Sequence, residues 1–343
     1  MPASAAKRLP PPIRAAKRLL DHYDKHYRPL PWRAAPGDRA DPFRVWLSEV
    51  MLQQTTVATV IPRFRRFTTR WPTIEALAAA PPEEVLGEWA GLGYYARARN
   101  LIACAGEVAA LGSFPTTEAE LRTLPGLGAY TAAAIAAIAF GEQATVVDTN
   151  VERVIARLHA IDRPIAETRA AIRAAATALT PADRPGDFAQ AMMDLGATIC
   201  RPKKPACLAC PLRRDCRAFA SGTPERFPAP KAKRERPHRH GIAYWIERDE
   251  AVWLVRRPER GLLGAMAALP GPEWGEQRPN QRAFATVRHG FTHFTLDLHL
   301  VACADPPPGD GWWQPLGGLV EAGLPTLYRR AAEAGLARET IAG

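Results

Sequence analysis

From Ile13 to about Phe219 the apolar residues recur at helical spacing, in stretches rich in Ala, Leu and Val. Short Pro/Gly breaks, "RPLPW", "RWPT", "APPEE", "GSFPTT" and "DRPI", separate these stretches. That period, with no strand alternation of useful length, predicts an all-α region. The first 12 residues are Pro-rich and basic and read as a tail. Residues 223–240, "TPERFPAPKAKRERPHRH", hold four prolines and six Lys or Arg with almost no apolar content, the composition of an extended basic linker. Beyond it the pattern changes. "GIAYWIER", "AVWLVRR", "FTLDLHLVACA" and "GWWQPL" carry the β-branched and aromatic enrichment of strands, and "LPTLYRRAAEAGLA" reads as one terminal helix. The predicted organisation is a tail at 1–12, a helical domain at 13–222, a linker at 223–240 and an α+β or mostly β domain at 241–343. No internal repeat is present.

Composition narrows the functions. With 343 residues and 47% hydrophobic content, two or three domains can each bury a core. Lys plus Arg number 45 against 35 Asp plus Glu, and a formal charge of +10 favours a polyanionic partner, nucleic acid first. No apolar run approaches the roughly 18 to 20 residues of a membrane span, and the N-terminus lacks the apolar core of a secretory signal. A soluble, cytoplasmic protein with no membrane association is expected.

In a reducing compartment a tight cysteine cluster points to metal rather than disulfides. Four of the six cysteines fall within "CRPKKPACLACPLRRDC", as Cys200, Cys207, Cys210 and Cys216. Structural zinc usually takes two short C-x2-4-C clips, and only Cys207 and Cys210 form one. Four thiolates at unequal spacing in one loop suit an iron-sulfur cubane better, with zinc and a disulfide pair as alternatives. Cys104 and Cys303 stand alone in apolar surroundings and read as core residues.

"LPGLGAYTAAAIAAIAF" at 124–140 sets Gly126 and Gly128 in a tight turn before an Ala-rich helix. Glycines there permit positive φ and let amides approach a phosphate at the helix N-terminus. A plain C-cap glycine followed by a new helix would read the same way. Context separates the two. The hairpin, Asp148 lying 20 residues after Gly128 in "VVDTNVERV", and the C-x6-C-x2-C-x5-C cluster together resemble the helix-hairpin-helix DNA glycosylases that carry a [4Fe-4S] cluster. "LPWR" at 30–33, "VWLSEVMLQQTTVATVIPRF" at 45–64, "GLGYYARARNL" at 91–101 and "QAMMDLGATIC" at 190–200 narrow the likeness to the adenine-removing, MutY-type branch of that family. The C-terminal half is similar to its Nudix-like lesion-recognition domain. No clustered glutamates of a Nudix hydrolase are visible, so pyrophosphate hydrolysis is not expected.

The resemblance implies a DNA repair enzyme that hydrolyses the N-glycosidic bond of adenine mispaired with 8-oxoguanine or guanine. Double-stranded DNA is the implied partner, the [4Fe-4S] cluster the implied cofactor on the four cysteines, and a monomer the expected state. Such chemistry needs a proton for the departing base and an anion beside the sugar cation. Glu49, in a largely apolar helix where desolvation favours the protonated carboxyl, matches the acid. A surface glutamate on an amphipathic helix is the plainer alternative. Asp148 matches the anion, with Asn150 supporting it, and is also a natural N-cap. Thr149 departs from the glycine more common in the family. Tyr130 stands where strand-cutting relatives have a lysine able to form a Schiff base, which implies base removal without strand cleavage. Gln54 and Tyr94 match the residues that wedge into the duplex, and Trp32, Arg33 and Gln190 those around the extruded adenine. Lys203, Lys204, Arg213 and Arg214 on the cysteine loop would present cations to the DNA backbone, a solvated face being the plainer alternative. Phe291, Thr292 and His293 match the turn that reads 8-oxoguanine, with Thr292 in place of a serine. At roughly 3 Å per residue, the linker is long enough to cross a duplex.

Overall fold

The computed structural model describes residues 12–230, 236–258, 261–291, 293–319 and 321–338. It divides into two compact units, Met1–Lys231 and Ala232–Gly343. Thr292 lies outside the described residues. No helix among them is long and apolar enough to cross a membrane.

The first unit is helical: α1 (Pro12–His26), α2 (Pro42–Leu52), α3 (Val57–Arg70), α4 (Ile74–Ala78), α5 (Pro82–Glu88), α6 (Tyr95–Leu111), α7 (Glu118–Leu121), α8 (Ala129–Phe140), α9 (Thr149–His159), α10 (Ile165–Leu179), α11 (Pro185–Asp194) and α12 (Arg217–Ala220). Local chemistry sets many of the boundaries. Asp41, Thr56, Thr73, Thr117 and Asp148 each accept a backbone N–H of the first turn they precede, and Gly112 and Gly141 end α6 and α8 in left-handed backbone. The alanines of α8 let its neighbours close to backbone distance. A Cβ on Gly186 of α11 would stand 2.5 Å from the carbonyl oxygen of Ala137.

Two cores fill this unit. One gathers Trp46, Phe64, Phe67, Trp89 and the inner face of α8. The other gathers Leu19, Ile155, Leu158, Phe188 and Met192 from α1, α9 and α11. Helix α2 belongs to the first core and α9 to the second.

Structure extends into both ends of the span predicted as linker. Phe227 is buried with its carbonyl accepting from Arg157 Nε at 3.0 Å, Glu225 accepts the Lys204 amide at 2.9 Å, and Ala229 bridges to Pro164. At the other end β1 begins at His238.

The second unit has two small sheets. β1 (His238–Trp245) runs parallel to β6 (Thr295–Ala302), which pairs antiparallel with β5 (Ala285–Gly290). β2 (Glu247–Arg248), β3 (Ala251–Arg256) and β4 (Ala267–Ala268) form the second sheet, with β7 (Trp312–Pro315) paired to β3. The terminal helix α13 (Thr326–Leu336) packs so closely that a Cβ on Gly335 would meet the Trp245 ring at 2.4 Å. The predicted strands are present. β5 is additional: its sequence "ATVRHG" buries only Val287 fully, so it carries little periodicity to read.

Candidate active site

A cavity of about 740 Å³ opens in the helical unit. It is lined by Glu49, Asp148, Tyr130, Asn150, Trp32, Arg33, Gln54, Gln190, Gly126 and Gly128, ten of the residues expected from sequence, drawn from positions as far apart as 32 and 190. Glu49 projects from the last turn of α2 and is 7% exposed. Burial pushes its carboxyl up to about 7. The Tyr130 hydroxyl pulls it back, the Asp148 charge adds to the rise, and Arg33 opposes it. A carboxyl so placed is close to half protonated at neutral pH and can donate a proton.

Tyr130 sits in the first turn of α8, its hydroxyl 3.4 Å from Met193 Sδ, and its own ionisation is pushed well up by burial and by Glu49 and Asp148. Gly126 has φ +76°, and a Cβ there would come 2.7 Å from Asn100 Cβ, so the hairpin turn requires glycine. Gly128 differs from expectation. Its φ is −76° with open space at the Cβ position, so its backbone would accept other residues.

Asp148 caps α9 through Oδ1, which accepts the Val151 amide at 2.7 Å, while Oδ2 accepts Asn150 Nδ2 at 2.8 Å. Asn150 Oδ1 in turn accepts Arg153 Nη2 at 2.8 Å. The same guanidinium donates to the carbonyls of Gly196 at 2.7 Å and Cys200 at 2.8 Å. Gly196 lies in a single π-turn, Leu195–Ile199, and a Cβ on it would meet Asn150 Cβ at 2.5 Å. Capping and catalysis are thus compatible: Asp148 is fixed through both oxygens and still lines the cavity. Thr149 sits at the first position of α9 without positive φ, so threonine is tolerated there.

Three neighbours behave differently from a simple pocket wall. Arg33 gives its fork to Asp194, at 2.6 and 3.0 Å, forming a buried ion pair. Trp32 is 6% exposed and packs edge-on against Phe64. Gln190 is buried on α11.

Gln54 and Tyr94 both have positive φ, 56° and 49°, and both are exposed. Gln54 lines the cavity and Tyr94 does not. Sequence reasoning missed what holds them. Arg97 is buried and donates to the carbonyls of Val50 (3.1 Å), Met51 (3.0 Å), Gln53 (2.5 Å), Leu92 (2.8 Å) and Gly93 (3.2 Å), and its guanidinium lies over Tyr94. One cation therefore clamps the end of α2 to the Tyr94 turn. Its only sequence signal is an arginine among alanines in "YYARAR".

The four loop cysteines are free, half-buried thiols. Clustered between residues 200 and 216, they are consistent with an iron-sulfur loop. Burial and the neighbouring sulfurs raise the Cys207, Cys210 and Cys216 thiols, Cys210 to about 12, so holding thiolates here calls for positive charge. Arg157, 3% exposed, reaches Cys200 Sγ at 3.4 Å and otherwise donates to the carbonyls of Cys200, Arg201, Pro202 and Phe227. Lys203, Lys204 and Arg214 are exposed, while Arg213 is half-buried and bonds to the Leu208 carbonyl.

In the second unit Phe291 is half-buried, stacked on Trp274 at 5.6 Å and 4.7 Å from the Phe294 ring, and His293 is exposed.

A compact helical unit with a hairpin, a buried raised carboxyl sharing a cavity with a helix-capping aspartate, and a four-cysteine loop defines a base-excision glycosylase. Residues 47–181 match the HhH-GPD superfamily base excision DNA repair protein family, and residues 241–334 match the NUDIX domain family. The chain is 38% identical to the human adenine DNA glycosylase, covering 86% of this chain and 69% of that protein. It is 46% identical to the mouse adenine DNA glycosylase over 86% and 72%, and 45% identical to that of Mycolicibacterium smegmatis over 60% and 70%. Among solved structures, a thermostable thymine-DNA glycosylase matches with a TM-score of 0.54 at 28% identity, covering 61% of this chain and 97% of that one. A trapped endonuclease III–DNA covalent intermediate matches with a TM-score of 0.50 at 26% identity, covering 61% and 96%. The chain belongs to the adenine DNA glycosylase family.

Proposed function

We propose that this adenine DNA glycosylase works by hydrolysis in the 740 Å³ cavity, with Glu49 as general acid and Asp148 as the anion beside the sugar. The observation that carries the assignment is the buried Glu49 carboxyl, raised to about 7, sharing one cavity with Asp148. Glu49 gives its proton to N7 of the extruded adenine. The C1′–N9 bond breaks and its electron pair leaves with the base. Asp148, immobilised by Val151 and Asn150, stabilises the oxocarbenium cation. The oxygen of water then joins C1′ and its proton returns to the Glu49 carboxylate, leaving an abasic site. Among the described residues no lysine lines the cavity, which supports base removal without strand cleavage.

Gln54 and Tyr94 act as the wedge that replaces the extruded base, held by Arg97. Trp32 and Gln190 border the base, and Arg33, neutralised by Asp194, shapes the pocket rather than supplying free charge. Gly126 and Gly128 bring the hairpin amides to the backbone phosphates. Cys200, Cys207, Cys210 and Cys216 hold a [4Fe-4S] cluster, which braces the loop presenting Lys203, Lys204 and Arg214 to DNA. Phe291, Thr292 and His293 read 8-oxoguanine or guanine opposite the adenine.

Single-turnover excision from duplexes carrying adenine opposite 8-oxoguanine or guanine, with thymine opposite guanine as control, tests the reading. Adenine release dependent on Glu49 is expected. Preferential thymine release would overturn the substrate assignment.

A further inference from the structure

On one face of the second unit, the β1–β6 register brings together histidines that the glycosylase chemistry does not use. His238 pairs with Thr295, His240 with Asp297, and Ile242 with His299, so alternate residues of both strands share that face. His238, His240 and Asp297 each offer a ligand atom within 4.8 Å of the others. His238 Nε2 lies 3.2 Å from Asp297 Oδ2.

The outer nitrogens of these imidazoles are already occupied. His238 Nδ1 contacts Thr295 Oγ1 at 2.8 Å, leaving Nε2 facing the carboxylate. His240 Nδ1 contacts His299 Nε2 at 3.1 Å, and His299 Nδ1 contacts Thr286 Oγ1 at 3.1 Å. A relay from Thr286 through buried His299 thus leaves His240 Nε2 free. Metal-binding histidines are oriented in this way, each tied at its second nitrogen by a polar partner. The backbone of His240 is fixed as well, exchanging hydrogen bonds with Gly275 at 2.7 and 3.0 Å. His240 also borders a groove of about 330 Å³ that carries the carboxylates of Glu273 and Glu276. Arg288 holds Asp297 at 2.8 and 2.9 Å through a side chain that is 77% exposed, and a cation bound at Asp297 has to displace it into solvent.

We propose that His238, His240 and Asp297 form a binding site for a divalent transition-metal ion of the zinc class, with His299, Thr295 and Thr286 as positioning residues. Two imidazoles and one carboxylate suit that class and leave coordination positions open. The site lies where β1 and β6 begin, and there the Thr295 amide also bonds to the Pro237 carbonyl at 3.0 Å. A bound ion would therefore tie the starts of these two strands together.

The test is zinc titration calorimetry on the full chain, comparing the natural protein with His238→Gln/His240→Gln in matched preparations, so that any zinc at the cysteine loop cancels. One additional equivalent per chain is expected in the natural protein, with affinity reduced at least about 100-fold in the double variant. His299→Gln, which breaks the relay, is expected to weaken binding by about 10- to 100-fold. Identical isotherms for natural and double-variant protein would overturn the site. Should the double variant fold poorly, zinc-dependent protection from diethylpyrocarbonate in the natural chain decides the matter. His238 and His240 should be shielded and exposed His293 should not; equal modification with and without zinc would also overturn it.

Discussion

In the helical unit the groups assigned to chemistry are sunk into the protein and bonded on several sides, whereas in the second unit the groups assigned to recognition lie in a half-buried aromatic turn and on a sheet face. Glu49 is 7% exposed, and Asp148 has both oxygens engaged. Phe291 leans on Trp274 and Phe294 and is tied by one backbone bond, its amide donating to the Phe294 carbonyl at 2.9 Å, and His293 is exposed. Breaking a glycosidic bond needs charge held still in a place water does not screen, so its residues cost folding energy and need supports. Reading an opposing base needs groups that reach into a groove, so they stay near the surface.

The contrast breaks most directly at Glu49. Glu49→Gln keeps the shape and removes the proton, and single-turnover adenine release should fall by at least the roughly 10² to 10⁴ typical of acid catalysis, with duplex binding retained. Near-normal release would place the acid elsewhere. Truncation after Pro230, rather than after Gly222, is the matching cut on the other side, because Phe227 and Glu225 belong to the helical unit. Excision should survive, while the preference for 8-oxoguanine over guanine as opposing base drops about 10- to 100-fold, equivalent to roughly 1–3 kcal/mol of base contacts. His293→Ala should reproduce part of that loss. Unchanged preference in the truncated chain would move reading into the helical unit.

A smaller effect follows from pH. The acid form of Glu49 is present below its folded pKa of about 7 and is lost above it, so the excision rate should decline by about tenfold per pH unit on the alkaline side. A flat profile from pH 7 to 9 would contradict the role. Gly196→Ala touches no catalytic atom, yet its methyl must displace Asn150, and a loss of roughly tenfold in excision with unchanged DNA affinity is expected. Arg97→Lys keeps the charge and loses the fork. Adenine release from duplex should fall a few-fold, with little change when the adenine is already unpaired, because only the wedge is loosened.

Sequence made some of this legible and hid the rest for identifiable reasons. The helix start at Asp148 was readable because the cap and the Val151 amide it accepts lie three residues apart. The cavity residues were readable through motif likeness, since no local periodicity joins Trp32 to Gln190. The supports escaped. Arg33 with Asp194 and Arg97 with Gln53 join residues 161 and 44 positions apart, and their geometry exists only once the helices have packed. Gly128 shows the opposite error, a glycine read as a backbone requirement where the backbone demands none.

Arg157 has a consequence for where the chain first opens. Its guanidinium is buried, its hydrogen bonds among the described residues go to carbonyl oxygens and the sulfur of Cys200, and the Cys207 thiol and the Arg153 cation also lie within its field, so anionic sulfur is the charge that can balance it. A chain whose cysteines stay neutral keeps an unbalanced cation between α9 and the segment reaching Phe227. That segment is then the first to open, and proteases should cut between residues 200 and 230 before they reach either core.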